Sequence, residues 1–335
     1  MKATISVFGA GSWGTALALL TARNGCQTLM WGHDVEHLQH LARDRQNHRY
    51  LPGFTFPETL HVTDNLQQAA AFSNLWLITV PSHAFKETLV KLNPYISKGT
   101  RIVWATKGFN PEDGALLSQV ISQVISPDIA MATLSGPSFA LEVASNLPTA
   151  ITIASPDAVF AEQLASLFHN SRFRAYTSSD IIGVQVGGAV KNVMAIAAGI
   201  ADGLGFGANT RSALITRGLT EIIRLGLTLG GKQETFMGLA GLGDLILTCT
   251  DNQSRNRRYG LALGAGKDRE AVIKDIGQEV EGIFAAKETF LLAQKLGIDM
   301  PITEQTYKVL YENTPPLEAV QNLLNRDKKS EAFLL

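Results

Sequence analysis

Apolar and polar residues alternate along the first half of the chain in a pattern that predicts a repeated strand–helix unit. Short β-rich apolar runs lie at 5–8, 28–31, 60–63, 75–80, 101–106, 129–134, 149–154 and 173–176. Between most of them, apolar positions recur with helical spacing at 35–45, 65–72, 84–92, 114–125 and 158–168. Cap-type residues precede several of these helices, at Asp34, Asp64, Ser82 and Asp157. The alternation predicts an α/β domain with a doubly wound parallel sheet and helices on both faces.

The second half of the chain has a different pattern. Strand signals stop near residue 179, and helical periodicity follows, for example at 212–229 before Gly230-Gly231 and at 285–296 before Gly297. We therefore predict a first domain at 1–180 and an all-α second domain at 181–335. The sequence contains neither internal repeats nor a low-complexity linker, so we expect a helix at the boundary and a functional site in the cleft between the domains.

A glycine motif follows the first apolar run at once. Gly9, Gly11 and Gly14 form Gly-x-Gly-x-x-Gly between a predicted strand and a predicted helix. The first glycine permits a tight turn, the second leaves room for phosphates, and the third lets the helix pack close to the strand. Amides at the start of the helix then face an anion. The motif predicts a Rossmann-like site for the pyrophosphate of a dinucleotide.

The end of the second strand bears on which dinucleotide is bound. Asp34 stands where a carboxylate can accept hydrogen bonds from the adenosine ribose, which is the usual way to select NAD over NADP. It also precedes a predicted helix and suits an N-cap equally well. His33 is placed to touch a 2′-phosphate, and Arg43 and Arg45 are near in sequence. Both interpretations of Asp34 stay open, and we expect the protein to accept either cofactor.

Lys191 lies in an apolar, glycine-rich helical stretch, Val186-Gly-Gly-Ala-Val-Lys-Asn-Val-Met-Ala-Ile-Ala-Ala-Gly199. On a helix it shares a face with small and apolar residues, so a ligand or another segment can approach closely. Burial favours the neutral amine and makes such a lysine a usable proton donor or acceptor near neutral pH. The alternative is a lysine whose ammonium reaches solvent past the helix.

Further polar groups gather after three glycines, where Gly238, Gly241 and Gly243 lead to Asp244. The segment Ser254-Arg-Asn-Arg-Arg258 follows and offers hydroxyl, amide and guanidinium donors, which suit the oxygens of a phosphate ester. A solvated basic helix start is the alternative. A nucleic-acid site is disfavoured because aromatic residues are not interleaved and no basic excess is present elsewhere.

Two shorter motifs end strands of the first domain. Lys107 follows Trp104-Ala-Thr, and Ser135-Gly-Pro-Ser-Phe-Ala140 places Pro137 at an expected helix start with free amides. Ligands of open α/β sheets bind at the carboxyl ends of strands. We therefore expect both motifs to face the ligands.

Composition and charge exclude several classes of protein. The chain has 335 residues, 45% hydrophobic and 18% charged, with a net charge of −1, which gives no general attraction to nucleic acid or anionic lipid. Cys26 and Cys249 have no metal-ligand spacing and are expected to be reduced thiols. The N-terminus lacks a signal-peptide pattern, and the apolar region 184–206 carries charges and many glycines. We expect a cytoplasmic protein with no metal and no membrane insertion.

The motifs together resemble bacterial-type NAD(P)-dependent sn-glycerol-3-phosphate dehydrogenases, in order and over nearly the whole chain. The resembling blocks are Gly9-Ala-Gly-Ser-Trp-Gly-Thr-Ala-Leu-Ala18, Val80-Pro-Ser-His83, Ala105-Thr-Lys-Gly108, Ser135-Gly-Pro-Ser138, Gly187-Gly-Ala-Val-Lys-Asn192, Gly203-Leu-Gly-Phe-Gly-Ala-Asn-Thr-Arg211, Gly241-Leu-Gly-Asp244 and Ser254-Arg-Asn256. The resemblance implies interconversion of dihydroxyacetone phosphate and glycerol 3-phosphate, which supplies the phospholipid backbone. It also implies a homodimer. Gly32 departs from the arginine of many relatives and leaves the NADP preference open.

The resemblance also implies roles for individual residues. Lys191 would be the general acid and base. The residues implied to contact the dinucleotide are Gly9, Gly11, Ser12, Trp13, Gly14, His33, Lys107, Ala140, Arg255 and Glu281. The residues implied to contact substrate are Lys107, Gly136, Ser138, Lys191, Asp244, Ser254, Arg255 and Asn256.

Two other functions were weighed against this one. A hydroxyacid dehydrogenase of the same architecture would act on a carboxylate substrate, whereas the segment 254–256 favours phosphate. A non-catalytic redox sensor would bind dinucleotide without the full set of charged groups that the motifs provide.

Overall fold

The computed structural model describes residues 3–327, and these form two units. The first unit contains the described residues up to Asn110 together with Leu117–Ile181, and the second contains Pro111–Leu116 and the described residues from Ile182 onward. The short segment Pro111–Leu116 therefore belongs to the second unit although the chain returns to the first after it. Sequence patterns give no signal for this excursion.

The first unit is built on an eight-stranded sheet with helices before and after its strands. Its strands are β1 Thr4–Phe8, β2 Gln27–Trp31, β5 Leu60–Thr63, β6 Leu75–Ile78, β7 Arg101–Trp104, β8 Ala130–Ser135, β9 Thr149–Ala154 and β10 Phe173–Ser178. Its helices are α1 Ser12–Arg23, α2 Val35–Asp44, α3 Leu66–Phe72, α4 Ser82–Leu92, α5 Leu117–Val124, α6 Ala140–Ala144 and α7 Ala158–Phe168, with a 3-10 turn at Asn93–Tyr95. The predicted α/β fold class is confirmed.

The strand order is β10-β9-β8-β7-β6-β1-β2-β5, and one pair departs from the expected parallel arrangement. β8 and β9 are antiparallel, with Leu134 opposite Ile153, whereas the other neighbours in this sheet are parallel. The connection between β8 and β9, residues 136–148, contains only the five-residue helix α6. This helix is shorter than those that usually form the crossover between parallel strands.

Local capping explains where the helices of the first unit begin. The side chain of Asp34 accepts a hydrogen bond from the His37 amide at 3.0 Å, and Asp157 accepts from two amides of α7, so both predicted caps are confirmed. Asp64 is not the cap of α3, because Asn65 accepts from the Gln68 amide instead. Ser82 is the first residue of α4 rather than its cap. Asp64 and Asn65 are both cap-type residues, so the sequence does not decide which of the two caps α3.

A two-stranded hairpin was missed by the sequence analysis. β3 Gln46–Asn47 pairs antiparallel with β4 Leu51–Thr55 directly after α2. Its strands are short and largely exposed, apart from Asn47 and Leu51, and so carry little of the alternation that identifies a strand.

The second unit is all helical within the described residues. Its helices are α8 Ile181–Gly203, α9 Ala208–Thr228, α10 Gln233–Phe236, α11 Asp244–Thr250, α12 Arg255–Gly264, α13 Arg269–Ile276, α14 Glu281–Leu296, α15 Pro301–Tyr311 and α16 Pro316–Leu324, with a π-helical turn at Leu239–Gly243. Gly297 ends α14 in the left-handed conformation, as its position predicted. α8 is long and apolar enough to cross a membrane by length and composition, and 83% of its most apolar window is buried inside the protein.

Helices α8 and α12 approach each other through glycines. A Cβ added to Gly199 would lie 2.2 Å from the Arg257 carbonyl oxygen, and one added to Gly260 would lie 2.1 Å from the Ile196 carbonyl oxygen. Gly203 and Gly264 repeat the arrangement one turn further on. Backbone-to-backbone packing therefore fixes α12 against α8, the two helices that carry Lys191 and the segment 254–258.

Candidate active site

The glycine turn of the first unit is shaped by close backbone contacts. Gly9 has φ +126°, and an added Cβ would lie 2.9 Å from the Thr79 carbonyl carbon. A Cβ at Gly14 would lie 2.0 Å from the Gly9 carbonyl oxygen, so helix α1 is pressed onto the turn. A Cβ at Gly11 meets nothing within 4 Å. Gly9 and Gly14 are thus needed by the fold, whereas the space beside Gly11 remains for a ligand.

Donors at the start of α1 fit the anionic part of a dinucleotide. Gly11 is the N-cap of α1, and no side chain caps this helix. The first helical hydrogen bond of α1 runs from the Thr15 amide to the Gly11 carbonyl oxygen. The amides of the first turn, at Ser12, Trp13 and Gly14, have no intrahelical acceptor. The indole Nε1 of Trp13 is buried and has no acceptor among the described residues. These donors, with the open space at Gly11, suit a pyrophosphate.

The end of β2 lies beside this turn, because the Gly9 amide donates to the Trp31 carbonyl oxygen at 2.8 Å. Asp34 caps α2, and its other carboxylate oxygen lies 3.3 Å from Arg49 Nη1. The hydrogen bond from the His37 amide is the main cause that lowers the pKa of Asp34. The cap interpretation of Asp34 is confirmed, and contact with a ribose stays a prediction. His33, one residue before, is exposed.

Lys107 and the segment 136–140 follow adjacent parallel strands, β7 and β8, at the same edge of the sheet. Gly136 has φ +148°, and an added Cβ would lie 2.9 Å from the Ile151 Cα, so only glycine fits there. The Ser138 hydroxyl donates to the Gly136 carbonyl oxygen at 2.9 Å. The expectation that Pro137 starts a helix is wrong. α6 begins at Ala140 after an N-cap at Phe139.

Lys191 is the chemical centre of the second unit. Only 6% of the residue is exposed, and its ammonium lies 2.5 Å from Asp244 Oδ1 and 2.9 Å from Thr248 Oγ1. Asp244 is 1% exposed, so the ion pair is buried. The Thr248 hydroxyl in turn donates to the Asp244 main-chain oxygen at 2.6 Å. The alternative of an ammonium reaching solvent is therefore wrong, and the structure places a proton donor of fixed orientation inside the unit.

The glycines before Asp244 bring that carboxylate to the lysine. A Cβ at Gly241 would lie 2.1 Å from the Phe236 carbonyl oxygen, and a Cβ at Gly187 on α8 would lie 2.5 Å from the Ala240 carbonyl oxygen. Both positions require glycine for close backbone approach. The predicted tight turn before Asp244 thus exists as the π-helical turn, packed directly on the helix of Lys191.

The segment Ser254–Asn256 opens α12 in the same unit. Ser254 is the N-cap of this helix and accepts from the Arg257 amide at 3.2 Å. Arg255 is partly exposed, with Nη1 3.3 Å from Gln278 Oε1. Asn256 donates to Asn192 Oδ1 and accepts from the Gly282 amide, each at 2.9 Å. Both ends of the Asn256 amide therefore join α8, α12 and α14, and Arg255 is the cation of the segment with room to meet an anion.

Known proteins match this chain along its whole length. The family model described as "NAD-dependent glycerol-3-phosphate dehydrogenase N-terminus" matches residues 4–161, and the C-terminal model of the same family matches 180–321. "Glycerol-3-phosphate dehydrogenase [NAD(P)+]" of Methylococcus capsulatus is 57% identical over 332 residues, 99% of each chain. A crystal structure of glycerol-3-phosphate dehydrogenase from Coxiella burnetii is 49% identical with a TM-score of 0.95, covering 97% of this chain and 99% of that one. The chain belongs to the NAD-dependent glycerol-3-phosphate dehydrogenase family.

The sequence analysis missed several polar residues of this glycerol-3-phosphate dehydrogenase family member. Thr248 holds the Lys191 ammonium, and the only available signal was its i+4 spacing from Asp244 on a helix. Asn192 holds Asn256. Arg257 is 6% exposed and donates to the Cys249 carbonyl oxygen at 3.0 Å, to Asn252 and to Asp202. These contacts join segments distant in sequence, which spacing alone does not reveal.

Proposed function

We propose that the protein interconverts dihydroxyacetone phosphate and sn-glycerol 3-phosphate with NAD or NADP. Support comes from the match of both family models and from 57% identity to a named relative of equal length. The buried contact of Lys191 with Asp244 and Thr248 is the observation that carries the chemistry.

The first unit supplies the dinucleotide site in this proposal. The glycine turn and the amides of Ser12 and Trp13 bind the pyrophosphate, and His33 lies at the adenosine end. The other proposed dinucleotide contacts are Lys107 and Ala140 of this unit and Arg255 and Glu281 of the second unit. When bound, the dinucleotide supplies the hydride in one direction and accepts it in the other.

Lys191 acts as the general acid and base. Reduction of the ketone adds hydride to C2 and a proton to the carbonyl oxygen, and the Lys191 ammonium donates that proton and becomes a neutral amine. Oxidation runs the same step backwards. Asp244 and Thr248 fix the direction of the Lys191 ammonium. General acid catalysis depends first on this geometry and then on the pKa of the donor.

Arg255 is the proposed ligand of the substrate phosphate. Asn256 holds Asn192 and the start of α14 through one N–H and its oxygen, and its second amide N–H is the proposed contact with substrate. Ser254 can donate its hydroxyl proton while it caps α12. Lys107, Gly136 and Ser138 are proposed to contact the rest of the substrate.

Broader assignments follow from the same proposal. Residues 1–180 form the dinucleotide-binding domain and residues 181–335 the substrate domain. The protein works in the cytoplasm as a homodimer, supplies glycerophospholipid synthesis, and neither inserts into membranes nor binds nucleic acid.

Loss of nicotinamide absorbance at 340 nm tests the activity. We expect consumption of NADH or NADPH on addition of dihydroxyacetone phosphate, and much slower consumption with unphosphorylated dihydroxyacetone or with 2-keto acids. Preference for a keto acid would support a hydroxyacid dehydrogenase instead. Dinucleotide binding without turnover of any of these compounds would support a sensor.

A further inference from the structure

The hairpin that sequence patterns missed carries a fully buried amide. Asn47, in β3, is 0% exposed, although Gln46 before it is only half-buried and His48 after it is exposed. An asparagine is rarely buried completely unless its donors and acceptor are all used. Its partners therefore show what the hairpin holds.

Those partners are in the glycine turn and the first turn of α1. Asn47 Nδ2 donates to the Ala10 carbonyl oxygen at 3.0 Å and to Thr15 Oγ1 at 2.8 Å. Its Oδ1 accepts from the Tyr50 amide at 3.0 Å. One side chain thus joins the turn, the helix that follows it and the hairpin.

The turn is held on its other side by Thr79. The Thr79 hydroxyl lies 3.0 Å from the Gly9 carbonyl oxygen and 3.1 Å from that of Phe8. Successive carbonyls, at Gly9 and Ala10, are therefore fixed by different side chains from different segments. Burial is the main cause that lowers the pKa of His37, which favours its neutral form, whereas the interaction of the ring with the Ala10 main chain acts in the opposite direction.

We infer that Asn47 is a positioning residue for the dinucleotide. This inference rests on the proposed function, since it takes the glycine turn as the pyrophosphate site. The peptide plane after Ala10 sets the direction of Gly11 and of the amides that follow. Asn47 fixes that plane by donating a hydrogen bond to the Ala10 carbonyl oxygen. A displacement of about 1 Å at an active site can lower the reaction rate by on the order of 100-fold. We expect a similar displacement of the pyrophosphate-binding amides to weaken dinucleotide binding comparably. Asn47 acts through Ala10 and Thr15.

Fluorescence titration with NADH tests this without any turnover. Asn47→Ala removes both bonds to the turn, and Asn47→Asp keeps the volume and the acceptor for Tyr50 but cannot donate to Ala10. We expect each to raise the Kd for NADH by about 10- to 100-fold. At saturating NADH, kcat and the KM for dihydroxyacetone phosphate should stay within about threefold of the parent.

Gln46→Ala is the matched control. Gln46 is the neighbouring residue of β3, and its side-chain amide donates to Thr55 Oγ1 of the same hairpin at 3.2 Å. This variant should bind NADH as the parent does. If Asn47→Ala does not fold, Thr15→Val removes one of the two bonds, that from Asn47 Nδ2 to Thr15 Oγ1, and should raise the Kd by a smaller factor.

Two results would overturn the inference while leaving the proposed function intact. One is a folded Asn47 variant that binds NADH with the parent Kd. The other is an equal rise in the Kd for NADH and the KM for dihydroxyacetone phosphate, which would indicate a general structural role. Failure of the parent protein itself to bind either NADH or NADPH would instead contradict the proposed function.

Discussion

A substitution at Gly11 can test ligand binding without disturbing the fold, whereas substitutions at Gly9 and Gly14 cannot. Its φ of −78° and ψ of −173° lie in the extended region open to every residue, and an added Cβ meets no atom within 4 Å. Gly14→Ala, by contrast, would drive a Cβ to 2.0 Å from the Gly9 carbonyl oxygen. We predict that Gly11→Val folds and fails to bind dinucleotide, whereas Gly14→Ala is strongly destabilised.

The magnitude follows from the donors that the valine would cover. Amides at the start of α1 that bond to a charged phosphate contribute about 1.5–3 kcal/mol each. Loss of two such bonds, about 3–6 kcal/mol, raises the Kd by roughly 10²- to 10⁴-fold. The effect should be the same for NADH and NADPH, because both carry the pyrophosphate.

Gly207→Val is the matched control for the cost of a branched residue at a helix N-cap. Gly207 precedes α9 with φ −87° and ψ −173°, and an added Cβ again meets nothing within 4 Å. We expect both valine variants to lower the melting temperature by a similar few degrees in circular dichroism, and only Gly11→Val to lose NADH binding by calorimetry. Parent-like affinity in folded Gly11→Val would show that the motif is only a turn, and the argument would fail.

Three further predictions concern the second unit. Lys191→Ala should lower kcat by on the order of 10²–10⁴ with the Kd for NADH nearly unchanged; more than about a third of parental kcat would remove Lys191 from the mechanism. Because this variant leaves Asp244 buried without its cation, Lys191→Met combined with Asp244→Asn serves as a folding control. At saturating dinucleotide, Arg255→Ala should raise the KM for dihydroxyacetone phosphate by about 10- to 150-fold and hardly change the slow turnover of dihydroxyacetone; an equal loss on both substrates would refute the phosphate assignment. Burial raises the pKa of Glu221 from 4.5 to about 7, so its ionisation favours the unfolded chain, and the free energy of unfolding should fall by up to about 3 kcal/mol as pH rises from 4.5 to 7. Glu221→Gln should flatten that part of the stability curve in urea titrations, and an unchanged slope would contradict the assignment.

Sequence patterns predicted the strands of the first unit because those strands are buried and β-rich. The runs at 60–63 and 149–154 coincide with β5 and β9, and the others differ by a few residues at their ends. The direction of β9 was not predictable from its own composition, since buried parallel and antiparallel strands show similar apolar runs. It accompanies a connection, residues 136–148, whose helix α6 has only five residues.

The sequence indicated which residues belong to the candidate site, but it did not indicate which of them contact one another. Lys191 stood out because a cation in an apolar helix needs a partner, yet Asp244 lies 53 residues away and Thr248 57. The approach of their helices is set by backbone packing at Gly187 and Gly241. Such packing is decided by the three-dimensional fit of two segments, which no local period encodes.

Asn47 shows the same limit for the dinucleotide site. The glycine motif identified the turn, whereas the side chain that fixes the Ala10 carbonyl is 37 residues further on in a hairpin with weak strand signals. Asn256 has contacts that its motif did not reveal, because its amide bonds to Asn192 and to the Gly282 amide and so joins three helices, while its contact with substrate stays a prediction.

Transfer of deuterium tests the central claim most directly. The protein is mixed with dihydroxyacetone phosphate and either NADH or NADPH, each carrying deuterium at both C4 positions, and the product is analysed by mass spectrometry and NMR. Direct hydride transfer predicts sn-glycerol 3-phosphate with one deuterium at C2. Unreduced dihydroxyacetone phosphate, or a reduced product without deuterium at C2, would contradict the account.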